Sequence, residues 1–416
     1  MHSNPERLAW RILIAAFGIF ILLCSTVAYV IQWYVFQSTV PTEMELQSAR
    51  GTASLTLPNM LAPAAVTDIP RAIEPGAVIS TDPNSQAIVT LADPRTKERI
   101  ASIVLFRDSK VTIGSASAPR FGLNAAPYQI ELEGVSGRIE ILLLDTGKRQ
   151  TYLHVSSAQM TAEIQAVGRY LVNASDNQTR FTTRTGIATV ISHQTATSIT
   201  LTDEQRTIVT TSNRPTSTDA EHSLLKNPFF SEDFNLGWQF YNDRTPPGQA
   251  YNAVFDGRPV VVIDRSQSNY PGVQLGHAET GLVQNLSLKA SDLASLELRA
   301  TFYVEEQDVP RCGDQGSECP IMLHMLFQDA QGSRQEFYHG FYANDNPAVN
   351  LPETCLSCRS NHDRITARSW FTYESGNLFT LFSEEQRPVF ITQVSFYASG
   401  HAYKIYVSEM DLIGSQ

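Results

Sequence analysis

Four cysteines carry the chemistry that residue type and spacing make most legible: Cys312 and Cys319 in RCGDQGSECP, Cys355 and Cys358 in ETCLSC. Thiols so placed either hold a metal or oxidise to disulfides. CLSC is a sound zinc half-site, because two thiolates two residues apart can reach one tetrahedral ion. CGDQGSEC separates its pair by six residues, more than zinc half-sites usually have. The even count suits two disulfides, with their connectivity open. A redox-active C-x-x-C would sit in a βαβ context, and the surroundings read as alternating β structure. The decision therefore passes to the compartment. Outside a reducing cytosol disulfides are expected, with zinc at the four cysteines as the alternative.

Catalytic patterns are absent from the sequence. There is no G-x-S-x-G, H-E-x-x-H, P-loop or G-x-G-x-x-G. His324 lies in an apolar strand-like run and His339 in a Tyr-His-Gly-Phe context, both read as structural. The carboxylate neighbours Glu305 with Glu306 and Glu384 with Glu385 would point to opposite faces of a strand, so they make no acid/base pair. The chain is not expected to be an enzyme; a glycoside hydrolase built on a β-sandwich is the third reading. With 31 Lys and Arg against 42 Asp and Glu, the net charge of -11 and the lack of a basic cluster argue against nucleic acid as a partner.

The elements that must place these residues begin at the N-terminus. From Ile12 to Ile31 no side chain is charged, and as a helix that run covers about 30 Å, the hydrocarbon thickness of a bilayer. Trp10, Trp33 and Tyr34 fit interfacial aromatic belts. Arg7 and Arg11 precede the span and no basic residue follows until Arg50, which places the N-terminus in the cytoplasm. A cleaved signal peptide would have a shorter apolar stretch and a small-residue site. Cys24 follows Leu22 and Leu23, not the small residue that lipoprotein processing needs.

The expected layout is a cytoplasmic tail at 1–11, a transmembrane anchor at 12–36 in membrane lipid, and a stalk rich in Ser, Thr, Ala and Pro at 37–70. A β domain at 71–212, a polar linker at 213–222 and a second β domain at 223–416 follow, all extracytoplasmic. The fold class is all-β beyond the helix. In SLELRATFYV, Leu296, Leu298, Ala300, Phe302 and Val304 fall on one face and Glu297, Arg299 and Thr301 on the other, the period of a half-buried strand. Similar short runs separated by turn residues predict two sandwich-like modules.

PGAVISTDPNSQAIVTL (75–91), VLFRDSKVTIG, GVSGRIEILL, SSAQMTAEIQAVGRYLV, TTRTGIATV and SITLTDEQRTIV follow one another in an order and spacing that resembles the FecR-like extracytoplasmic domain. Gly168, Arg169 and Tyr170 stand where that family often has Gly-Thr-x-Phe. The resemblance implies a β-rich scaffold for contacts with another envelope protein or the cell wall. A one-piece anti-sigma mechanism is not expected, because about eleven residues precede the span and a folded domain needs roughly 40.

LLKNPFFSEDFNLGW (224–238) and AYKIYVSEMDLIG (402–414) resemble the first and last strands of galactose-binding-like jelly-roll sandwiches, the architecture of many carbohydrate-binding modules. Such modules often hold a structural calcium between those strands, for which Glu232, Asp233 and Asp411 are the oxygen candidates, with solvated carboxylates as the alternative. A sugar site needs aromatic faces and amides or carboxylates. Trp238, Tyr241, Tyr251, Trp370 and Tyr373 are the candidate faces, and Asn242, Asp243 and Gln274 the polar edge. Core packing is the alternative for Trp238 and Trp370. The long segment from Ala343 to Ser369, with Asn344 and Asp345, is the expected binding surface. The sequence thus predicts a membrane-anchored protein that binds a carbohydrate or surface polymer without catalysis. A sensor or assembly subunit docking another membrane protein is the alternative.

Overall fold

The computed structural model describes residues 5–147, 149–349, 351–356, 358 and 361–415. An N-terminal helix, Pro5–Gln37, exposes its apolar side chains and meets the loop after Pro119 through Tyr34 in its last turns. Among the described residues it is the one helix long and apolar enough to cross a membrane. Among the described residues after it, the regular structure is β strand apart from short 3₁₀ turns, in two packed units.

No stalk follows the helix. Thr39–Pro41, Glu43–Arg50, Ala53–Thr56 and Ala64–Val66 are strands of the first unit, and Met44, Leu46, Ala53, Leu55 and Val66 lie in its core. Alternation in EMELQSAR, buried at Met44 and Leu46, outweighs the Ser and Thr content that reads as linker. The unit has two sheets joined by one bent strand, Tyr128–Leu143. Its first half pairs with Lys110–Pro119 and, in parallel, with Thr151–Ser157. Its second half pairs with Arg99–Leu105 and Gly168–Ala174. The turn-back is made at Gly137, whose φ of 79° favours glycine and where a Cβ would stand 2.3 Å from the Asp108 carbonyl oxygen. Both ends of this strand therefore lie at the same end of the unit as the helix.

The expected linker at 213–222 is also structured: Thr218–Asp219 pairs with Gln205–Thr210, and His222–Ser223 with Tyr403–Ser415. The second unit is a sandwich of two six-stranded sheets. The inner one runs Gln249–Phe255, Arg258–Arg265, Tyr403–Ser415, Ser295–Gln307, Trp370–Glu374, with His222–Ser223 alongside. The outer one runs Gln239–Asn242, Ala278–Lys289, Phe390–Gly400, Ile321–Gln328, Arg334–Tyr342, His362–Arg364. Leu296, Leu298, Ala300, Phe302 and Val304 face the core between them, as their period of two requires.

The opposite face of that strand is not in water. Arg299 and Thr301 are buried against the first unit, in a neutral cluster of four guanidinia and four carboxylates. Arg169 and Arg184 come from the first unit's strands, as do Arg138 and Glu140. Arg299, Glu374, Glu409 and Asp411 come from the second. Glu409 receives Arg184 at 3.0 Å, Arg299 Nε at 3.0 Å, the Thr301 hydroxyl at 2.8 Å, and Arg169. Burial alone would raise its carboxyl, but Arg169, Arg299 and Arg184 outweigh that and hold it well below the usual range. Beside these charges an apolar patch of Ile88, Val104 and Phe106 meets Val260, Val262, Trp370 and Tyr406. Four sheets therefore stack in series, and the inner two hide each other's polar faces.

Candidate functional site

The residues expected to bind a ligand are dispersed. Trp238 is 1% exposed, wedged in the core against Phe230 and Phe396. Trp370 is 4% exposed at the seam between the units, where its indole N–H donates to Asp256 at 3.2 Å and Arg258 lies 4.4 Å from the ring centroid. Neither indole can serve as a platform, because burial of a large ring has won at both. Tyr373 is buried and stacks on His339 at 4.6 Å. Tyr251 is exposed but on the inner sheet's edge strand. Asn344 and Asp345 tie their own loop down: Asp345 accepts from Arg311 at 3.0 Å and pairs with Arg364 at 3.3 Å, and the Asn344 backbone N–H donates to Gln307 Oε1 at 2.9 Å. Asn242 and Asp243 brace a strand end, accepting from Gly248 N at 2.9 Å and Glu279 N at 2.6 Å. Only Tyr241 of the expected aromatic set stands on an open sheet face.

The four cysteines form local disulfides, Cys312–Cys319 and Cys355–Cys358. With their sulfurs bonded to one another, no tetrathiolate remains for zinc. Among the described residues the one convergent set of three metal-ligand atoms is Cys312, Cys319 and His362, and two of these sulfurs belong to the bridge. The expected calcium set is not assembled. Asp411 is buried, accepting from Arg184 at 2.6 Å and Ser223 at 2.6 Å, while Asp233 caps a 3₁₀ turn by accepting from Asn235 N at 2.9 Å and Glu232 is exposed.

Sheet register builds a different constellation on the outer sheet's face away from the core, where Met322 is 1% and Ser395 2% exposed and the cluster of Cys312, Cys319 and Tyr342 packs against Tyr338 and Tyr397. Tyr241 pairs with Gly281, Gly281 with Tyr397, Tyr397 with Met322 and Met322 with Gly340, one row across five strands. The next row on that face is Gln239, Val283, Ser395, His324, Tyr338, and beyond it lie Asn285, Gln393, Leu326 and Glu336. Gly281 is needed between the two tyrosines: a Cβ there would stand 2.6 Å from Tyr397 Cβ and 2.8 Å from the Tyr241 ring. His324 and Tyr338 stack with centroids 4.3 Å apart and rings 11° from parallel.

Polar groups are held in fixed roles around these rings. Tyr241 donates to Glu279 at 2.6 Å, and Tyr338 donates to Glu336 at 2.9 Å, which Arg334 also reaches at 3.0 Å. Burial and then the nearby carboxylates push the phenols of Tyr241, Tyr338 and Tyr397 well up, so they stay neutral hydrogen-bonding groups. Burial lowers His324 and leaves a neutral imidazole, whose Nδ1 is 3.1 Å from Ser395 Oγ and whose buried Nε2 has no hydrogen-bond partner among the described residues. Burial raises Glu279; at Glu336 the bonds from Tyr338 and Arg334 outweigh burial and lower it. The strands carrying Glu279 and Glu336 are three inter-strand steps apart, about 14 Å, more than the separation of paired glycosidase carboxylates. The face can stack and hydrogen-bond; it holds no acid/base pair of that kind.

Comparison with known proteins gives likeness of fold. No family model and no curated protein matches the chain. Among solved structures, a family 11 carbohydrate-binding module of a Clostridium thermocellum cellulase is 12% identical, covering 47% of this chain and 95% of that one at a TM-score of 0.27. A proposed sugar-binding protein from Bacteroides thetaiotaomicron is 12% identical over 47% of this chain and 100% of that one, with a TM-score of 0.29. A proposed anti-sigma factor from Parabacteroides distasonis is 15% identical, and the match covers 34% of this chain and 59% of that chain at a TM-score of 0.25.

Proposed function

We propose that the protein is a membrane-anchored, noncatalytic glycan-binding protein whose binding surface is the face of the second unit's outer sheet that turns away from the core. The observation that carries this is the register that lines up Tyr241, Tyr397, Tyr338 and His324 beside Gln239, Gln393, Glu279 and Glu336. Rings offer apolar faces to pyranose C–H surfaces, and fixed amides and carboxylates take the hydroxyls. The opposite sheet cannot compete for this role, because its outer face is covered by the first unit. That unit then acts as a pedestal, joining the binding sandwich to a helix with its N-terminus in the cytoplasm.

The test is binding of the full chain in lipid nanodiscs to an array of polysaccharides, followed by calorimetry on the glycan retained. Tyr397→Ala is expected to weaken binding about tenfold, the equivalent of about 1.4 kcal/mol, with the fold retained as read by circular dichroism. Absence of any retained glycan, or full affinity in Tyr397→Ala, would overturn the reading, and turnover of the glycan would overturn its noncatalytic part.

A further inference from the structure

Ser38 alone separates the last helical residue, Gln37, from the first strand residue, Thr39. Its carbonyl accepts from Arg120 N at 3.0 Å and from Asn124 Nδ2 at 3.1 Å. Phe121 meets Tyr34 edge-on with centroids 5.4 Å apart, and the Arg120 guanidinium lies 5.4 Å from the same Tyr34 ring. The loop from 119 to 127 is therefore pinned beside the last turns of the helix. With that helix in a bilayer, Trp33 and Tyr34 sit among the headgroups, and Phe121 can stand no farther from them than one ring contact.

Two properties of the loop suit that depth. Leu123 at its tip is 70% exposed, with Gly122 and Ala125 exposed beside it. Three arginines surround it: Arg120 itself, Arg95 beside Gly122, and Arg149, which donates to Asn124 O at 2.6 Å and to Ala126 O. Among the described residues none of the three has a carboxylate within ion-pair distance. The adjacent Asp93 is buried and accepts the Tyr128 hydroxyl at 2.6 Å. In a chain of net charge -11, unpaired guanidinia gathered at the mouth of an apolar helix match the phosphates of an anionic lipid surface.

We infer that the loop 119–127 rests in the headgroup layer of an anionic bilayer, with Phe121 and Leu123 in the interfacial zone and Arg95, Arg120 and Arg149 on lipid phosphates. The first unit thus stands flush on the membrane. This rests on the helix being a membrane span, as proposed above.

The test uses the full chain with Cys24→Ser, both disulfides kept, and a single bimane-labelled cysteine in phosphatidylcholine vesicles with or without phosphatidylglycerol. Labels replace Phe20 in the helix, Leu123 at the loop tip, or Asp176 in the hairpin at the far end of strand Gly168–Ala174, about 23 Å away. Ala125→Cys replaces Leu123→Cys if the latter does not fold. Expected are fluorescence loss at 20 with acyl-chain nitroxide lipid, and loss at 123 but not 176 with headgroup nitroxide. The loss at 123 should deepen with phosphatidylglycerol and be reversed by Arg95→Glu with Arg120→Glu. Loss at 20 without loss at 123 overturns this inference alone; loss at neither overturns the membrane span as well. Loss at 123 that ignores both lipid charge and the arginine substitutions overturns the phosphate contact. Crosslinking of 123 to its counterpart in another copy, without quenching, assigns the loop to self-association and overturns the lipid partner.

Discussion

Glu297 shows how much a single side chain depends on which face of a strand is covered. It lines a cavity of about 170 Å³ at the seam, with Arg138, Arg180, Arg184 and Glu221. Burial, and then repulsion from Glu374, push its carboxyl up to about 7. An unfolded glutamate titrates near ~4.3, so the folded state carries a penalty for the charged form that is absent below that pH, grows through the interval and is complete above about 7. Glu297→Gln is therefore expected to stabilise the protein at about pH 8, by up to about 3 kcal/mol, and to change nothing near pH 4. Urea titrations at both pH values check this; an equal effect at both would refute it. From sequence, Glu297 reads as a solvent-facing residue, because alternation reports one buried face and is silent on a polar face buried by charge pairing. The same limit hides the aromatic face of the outer sheet. His324, Ser395 and Tyr397 alternate with core residues in their strands, but only sheet register brings them beside Tyr241 and Tyr338.

At the scale of elements, the strand predicted from SLELRATFYV is present with its apolar face inward, and the β character of the chain after the helix was legible because period-two burial is a local property. The composition of residues 37–70 suggests a stalk, whereas the alternation within them marks strands. Met44 and Leu46 are core, and Ala49 reaches the second unit's core. The bent strand Tyr128–Leu143 shows what local pattern omits, since one continuous run serves two sheets. Its sharp reversal relies on Gly137, so Gly137→Ala is expected to cost on the order of 3 kcal/mol through backbone strain and the clash with the Asp108 carbonyl. A fall in the urea midpoint with an unchanged slope is the outcome to look for; an unaltered midpoint would remove the claim. The disulfides close short loops, of sequence separation 7 and 3, and crosslink no distant elements; Cys312 and Cys319 instead pack with Met322 and Tyr342.

For the whole molecule, the packing of the two units is what no reading of separate domains anticipates. The polar residues that look like two solvated surfaces are one cluster in which each guanidinium answers a carboxylate of the other unit or its own. Such a cluster adds little net stability over apolar packing but is costly to break. Glu409→Ala leaves Arg169, Arg184 and Arg299 short of a buried partner, and is expected to cost about 3–5 kcal/mol. Scanning calorimetry should show a single transition for the parent chain and two for the variant, as the units melt apart. One undivided transition in both would mean that the apolar patch around Trp370 suffices to couple them.

The strand Tyr403–Ser415 lies in the middle of its sheet, between Arg258–Arg265 and Ser295–Gln307, yet it is synthesised after both of them. While the chain is being made, its two neighbours wait with bare edges on that side, and Glu409 and Asp411, which pair with Arg169 and Arg184 of the first unit, have not arrived. Maturation is thus ordered by biosynthesis: the first unit is able to close early, whereas the second sandwich is held open until Tyr403–Ser415 emerges, an interval in which escort by a chaperone would matter most.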